Sequence, residues 1–232
     1  MSREWYLIDD NGVHPLSPDR EPEDFWEQFH HDGDEAPWPA FNQLIVDASP
    51  TQTVEALGRT APEMGLELNE VTEQPERWQG SLVIARAGAL VAVGEPGVGL
   101  DERVMALPWS EVLVEHLCCD GAFFGYDPGA GTLHLTRFVE GSVEFAWCDS
   151  LVPGPSYAMI FDGDGGATDE DPRQFALRKL GMPETSPLLD RYQFVTQQLQ
   201  QLGVDEICPG LEELSVAAVM DVRRVDGQCL ES

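Results

Sequence analysis

His30-His31-Asp32-Gly33-Asp34 sets four potential metal ligands within five residues. Consecutive side chains of a loop fan apart, however, so an ion there needs a further ligand from a distant part of the chain. The stretch reads as solvated loop. Asp162-Gly-Asp164-Gly-Gly-Ala-Thr-Asp169-Glu-Asp171 opens like a calcium loop, with Asp162 and Asp164 at positions 1 and 3. The likeness then fails, because position 6 is Ala167 where glycine is required and position 12 is Arg173 where glutamate is required. Gly94-x-x-Gly97-x-Gly99 follows an apolar run, as a phosphate-binding loop would, but its spacing differs from G-x-G-x-x-G and Glu95 would repel a phosphate. His116 stands three residues before Cys119 and could pair with it on one helix face. A reactive thiolate wants a positive neighbourhood, which this chain is poorly equipped to supply. The sequence contains no G-x-S-x-G, H-E-x-x-H or C-x-x-C. The expectation is a chain with no cofactor, no metal site and no catalytic residues.

Charge is the dominant compositional property. Forty-two acids face 13 bases, a formal net charge of −29 over 232 residues. Such a surface repels nucleic acid and anionic membranes, whereas it attracts a basic protein and accelerates the encounter. The acids cluster: Asp9 to Ala36 holds ten of them against Arg20 alone, and Asp162 to Asp171 holds five and no base. The hydrophobic content of 42% is ordinary for a folded chain. No apolar run reaches the ~18 residues of a membrane span, and MSREWYLIDD lacks a signal peptide's apolar core. The five cysteines are odd in number, with Cys118 and Cys119 adjacent, which argues for free thiols and a cytoplasmic, reducing compartment.

The element that must position everything else is the stretch 122–150, read as a three-stranded antiparallel meander. Its first turn is Asp127-Pro128-Gly129-Ala130-Gly131 and its second is the two-residue loop Glu140-Gly141. A regular ladder from that loop pairs Val139 with Ser142, Phe138 with Val143, Arg137 with Glu144 and His134 with Trp147. Period-two alternation then places Phe138, Val143, Phe145 and Trp147 on one core face. His134 falls beside Trp147, as a packed histidine.

Around the meander, strands are expected at 3–8, 41–48, 66–72, 81–86, 89–93, 156–161 and 216–225. Ser49-Pro50-Thr51-Gln52 is a capping box that opens a helix to Leu57, ended by Gly58. Residues 108–119 read as a helix, and EPEDFWEQFHH (21–31) as a short one with an aromatic stripe. The two strongest helices are expected at 169–180 and 185–202. In the second, Leu188, Tyr192, Val195, Leu199 and Leu202 form an apolar stripe, with Gln197, Gln198, Gln200 and Gln201 as its polar back. The fold class is therefore α+β, mainly antiparallel sheet with packed helices, in a single domain or two lobes joined around 95–108.

Together these point to an acidic cytoplasmic binding protein that captures and neutralises a basic protein partner, as a bacterial immunity protein does with an antibacterial toxin. The residues expected to meet that partner are Asp24, Trp26, Glu27, Phe29, Asp32 and Asp34 in the first acidic segment, and Asp162, Asp164 and Asp169 in the second. Aromatic anchors ringed by acids are what a surface needs to grip a basic protein. Two other readings compete. One is an enzyme whose carboxylates converge from distant positions on His134 or His116. The other is a regulatory or structural module whose acidity is a trait of its whole proteome.

Overall fold

The computed structural model describes residues 6–9, 12–15, 41–71, 81–95, 107–127, 131–150, 156–161, 166–185, 191–204, 207–208, 210–211 and 214–224. The expected helix at 21–31 lies outside these. So do eight of the nine expected partner-binding residues: Asp24, Trp26, Glu27, Phe29, Asp32, Asp34, Asp162 and Asp164.

The fold is α+β. Strands β1 (Tyr6–Asp9) and β2 (Gly12–Pro15) form a hairpin. The other ten strands make one antiparallel sheet: β3 (Phe41–Val46), β4 (Leu66–Glu70), β5 (Ser81–Ala87), β6 (Leu90–Gly94), β7 (Gly121–Asp127), β8 (Thr132–Val139), β9 (Ser142–Ser150), β10 (Tyr157–Phe161), β11 (Ala167–Glu170) and β12 (Ser215–Arg224). Their order is β11-β10-β9-β8-β7-β3-β6-β5-β12-β4. Four described helices accompany them: α1 (Pro50–Glu63), α2 (Leu107–Leu117), α3 (Pro172–Lys179) and α4 (Arg191–Gln201).

The centre of the sheet is buried on both faces, which explains the long runs of apolar residues in β5 and β6. On one face, α3 and α4 bring Phe175, Phe194, Val195 and Leu199 against Phe124, Leu135, Phe145 and Trp147. On the other, α1 and α2 bring Leu57, Ala61, Trp109 and Leu113 against Leu44, Ile84, Phe123 and Phe138. Aromatic edges close the first core: Trp147 meets Phe194 at 4.9 Å between ring centroids, and Phe145 meets Phe175 at 5.0 Å. The Trp147 indole N–H donates to the Pro172 carbonyl at 2.9 Å, which fastens α3 to the meander.

The two-sided core overturns the expected register. Phe138 does pair with Val143 and Val139 with Ser142, on a Glu140-Gly141 turn with φ of 49° and 85°. Beyond that point a β-bulge intervenes. Arg137 pairs with Phe145, Leu135 with Trp147 and His134 with Cys148, leaving Glu144 as the extra residue. Glu144 reaches Lys179 at 2.8 Å, not Arg137. Phe138 and Val143 thereby serve one core while Phe145 and Trp147 serve the other.

Two helix boundaries also differ from expectation. The capping box of Ser49 and Gln52 is present, but α1 runs through Gly58 to Glu63. Burial of Ala56, Leu57, Thr60 and Ala61 on the sheet outweighs the roughly 1 kcal/mol that one helical glycine costs. Residues 167–170 form strand β11, so α3 begins at Pro172, capped by the Asp171 side chain accepting from the Gln174 amide. Helix α4 is described from Arg191, and residues 186–190 lie outside the described set. Its polar back is incomplete, because Gln198 is buried beside Val195 and Leu199.

Candidate functional site

At one end of the sheet, acid, edge-strand backbone and half-buried apolar side chains coincide. This strip is the β11 edge. Among the described strands β11 pairs with β10 alone, Met159 opposite Asp169 and Phe161 opposite Ala167. Ala167, Thr168 and Asp169 are all exposed. Alternation sends Thr168 and Glu170 toward the face that α3 covers. There Glu170 is held by Arg178, whose Nη2 and Nε donate at 2.6 and 3.1 Å. Asp169 points to the other face, beside Met159 and Phe161, and pairs with no basic side chain among the described residues. Asp171 closes the strip as the cap of α3. Of the nine residues expected from sequence, Asp169 is the one the structure describes, and it belongs to this strip. The start of the helix expected at 169–180 falls here, and a four-residue strand stands in its place.

A second acidic corner lies at the opposite end of the meander. Asp47, Glu63, Glu115 and Glu140 are exposed near the end of α2. The corner is tied by hydrogen bonds from the Asp47 amide to the Asp120 carbonyl (2.9 Å), from the Glu140 amide to Asp120 Oδ1 (2.9 Å) and from the Gly141 amide to the Cys119 carbonyl (3.0 Å). Gly141 is required there: its φ is 85°, and a Cβ would meet the Cys118 Cα at 3.2 Å. Arg137 serves this corner rather than Glu144, donating to the Gly121 carbonyl at 3.1 Å and lying 3.8 Å from Asp120.

The residues considered for catalysis are placed apart. His134 sits half-buried on β8, its ring 5.1 Å from Phe123, and Trp147 faces the other core. Gly125 beside it admits no Cβ, because Asn42 and the His134 ring fill that space. His116 Nε2 lies 3.0 Å from Glu63 Oε1, bridging α2 to α1, and makes no pair with Cys119. Burial and the neighbouring Asp47 and Asp120 push the Cys119 thiol up to about 11, so it is not a thiolate nucleophile. Cys118, Cys119, Cys148 and Cys208 are free thiols, and Cys229 lies outside the described residues. Among the described residues no group of three His, Cys, Asp or Glu side chains is placed to hold a metal. The 30–34 cluster lies outside them, as do Gly97 and Gly99; Glu95, next to Gly94, is buried.

One constellation was missed by sequence reasoning. Asp149 on β9, Tyr126 on β7, and Arg191 and Tyr192 at the start of α4 meet at one end of the sheet. Burial raises the Asp149 carboxyl, which Arg191 opposes. Burial, aided by a hydrogen bond with Tyr192, pushes Tyr126 up to about 12. Arg191 lies 5.2 Å over the Tyr192 ring and donates to the Gly131 carbonyl at 2.7 Å, so its guanidinium is engaged as a structural tie. The signal was in the sequence: Asp149 follows Trp147 by two, hence shares its face. A cavity of about 200 Å³ does lie on this face of the sheet, but its lining, including Gln43, Ala92, Val204 and Cys208, shares no residue with the constellation. The Gln43 amide donates to the Cys208 carbonyl at 2.6 Å.

No helix among the described residues is long and apolar enough to cross a membrane. Comparison with family models, curated proteins and solved structures found no match to this chain.

Proposed function

We propose that this chain is an acidic binding protein that captures and neutralises a basic protein, acting in the cytoplasm as an immunity protein against an antibacterial toxin. The observation that carries the reading is the net charge of −29, gathered into segments rather than spread evenly. Solubility is served by far less charge than this. Clustered acid raises the rate at which a cationic partner is met and orients it on arrival. The exposed Asp169 and Asp171 at the β11 edge are consistent with such a contact. An enzyme reading draws on the raised carboxyl of Asp149, which shares Arg191 with Tyr126, but the cavity described on that face is lined by other residues.

The test is co-expression in a sensitive host with the product of the adjacent reading frame, followed by co-purification at low salt. The reading expects restored growth and a stoichiometric complex that dissociates as salt rises. Unprotected growth together with no complex at low salt contradicts it.

A further inference from the structure

We propose that the β11 edge is the docking strip, and that the partner adds an extended basic segment to the sheet as an eleventh strand beside β11. The inference rests on the capture reading and specifies how capture occurs. Strand β11 is terminal among the described strands of the sheet, so the backbone groups on its outer side have no sheet partner among the described residues. Proteins blunt such edges by keeping them short, by charge, by proline or by a bulge. Strand β11 is four residues long, pairs regularly with β10 and carries Asp169 and Glu170, so its charge turns away a second copy of this acidic chain and suits a basic strand.

The other edge, β4, is a poorer acceptor. In its register Arg223 and Arg224 of β12 stand opposite Glu67 and Leu66, so that edge of the sheet has bases in sequence beside its acids. Strand β10 carries no charged residue, so the acids of β11 are not offset by the strand behind them.

The chemistry of the segment follows from alternation. Asp169 shares its face with Met159 and Phe161, both half-buried. A lysine or arginine on the added strand can lay its aliphatic stem toward Met159 and Phe161 and place its charge by Asp169. On the other face Glu170 is already engaged by Arg178, so the added strand meets neutral Thr168 there. The segment that fits is therefore extended, with basic residues at every second position and neutral ones between.

The experiment uses the full chain and two probes: an eight-residue peptide alternating lysine and valine, and the same peptide with all its backbone amides methylated. Both carry the same charge, and only the first can join a sheet. Amide hydrogen exchange is followed by mass spectrometry or NMR. Strand addition predicts that the unmethylated peptide slows exchange within residues 167–170 by about tenfold or more and that the methylated peptide does not. Asp169→Lys, checked for an unchanged near-ultraviolet spectrum, should weaken the unmethylated peptide about tenfold. Equal protection by both peptides, or protection confined to other segments, overturns strand addition and leaves capture by charge standing. Failure of both peptides to bind at low salt overturns the capture reading itself. A dimer without peptide that protects 167–170 assigns the edge to a second copy of this chain and overturns the proposal.

Discussion

Deleting Glu144 separates the bulged meander from a regular one. In the bulged ladder Val143 pairs with Phe138 and Phe145 with Arg137, and Glu144 is the residue between them without a counterpart. Its removal leaves every other pair in place and both cores intact. The losses are the Glu144–Lys179 ion pair, with side chains 41% and 24% exposed, which contributes up to about 1 kcal/mol, and the local twist that a bulge supplies. The expected cost is about 1–2 kcal/mol. In a regular ladder the same deletion would turn Phe145 and Trp147, now 1% and 2% exposed, to the opposite face. Each would then lose roughly 3–5 kcal/mol of packing, most of the ~5–15 kcal/mol stability of a whole domain. Urea unfolding followed by far-ultraviolet circular dichroism measures the difference by linear extrapolation. Deletion of Ala146, which flips Trp147 in either ladder, is the control and should abolish folding. A Glu144 deletion variant that is also unfolded, or loses more than about 5 kcal/mol, refutes the bulge.

Further outcomes are expected elsewhere. Cys118 occupies the left-handed position after α2 with a φ of 51°; Cys118→Gly should raise stability by roughly 0.5–1 kcal/mol in the same assay, and a loss would show that the thiol packs usefully. Cys119 and Cys148, both pushed up to about 11 by burial, are about 0.1% thiolate at pH 8, so iodoacetamide should modify them on the order of a hundredfold more slowly than free cysteine; peptide mapping over time checks this. Burial raises the Asp149 carboxyl above its ordinary 3.8, so the folded state binds this proton more tightly and its contribution to stability falls as pH rises through the raised value. Relative to wild type, Asp149→Asn should therefore gain stability from about pH 4 upward and level off above that value; an advantage that shrinks with pH would reverse the assigned cause.

Local signals in the sequence were reliable where one interaction decides the geometry. Ser49 and Gln52 formed their capping box, Glu140-Gly141 its two-residue turn, and the apolar runs 81–94 a buried hairpin. Signals that depend on what lies above and below the sheet were not. Alternation reports which side chains share a face, but it fixes register only when one face is polar. With Phe138 and Phe145 both destined for cores, a single inserted residue could satisfy two cores at once, and nothing in the meander's own sequence announces that. Gly58 likewise ends a helix in isolation yet not under a sheet. The candidate strip was half legible: Asp169 was singled out for its charge, whereas the strand that exposes it read as a helix start, because Asp171-Pro172 caps the helix that follows two residues later. Asp149 was overlooked for the opposite reason, since Cys148 and Ser150 beside it are uncharged and its charge shows no cluster.

The central claim is electrostatic capture, and association kinetics across a salt series test it most directly. The partner obtained by co-purification is mixed in stopped flow with wild type, with Asp169→Lys, and with the variant in which Asp24, Glu27, Asp32 and Asp34 are replaced by lysine. Exposed charges are screened beyond about 8–10 Å near physiological ionic strength, so capture by charge predicts a wild-type association rate that falls steeply with salt. The substitutions should slow association at low salt while the variants converge with wild type at high salt. Rates indifferent both to salt and to the substitutions would contradict it and leave the acids as solvated surface.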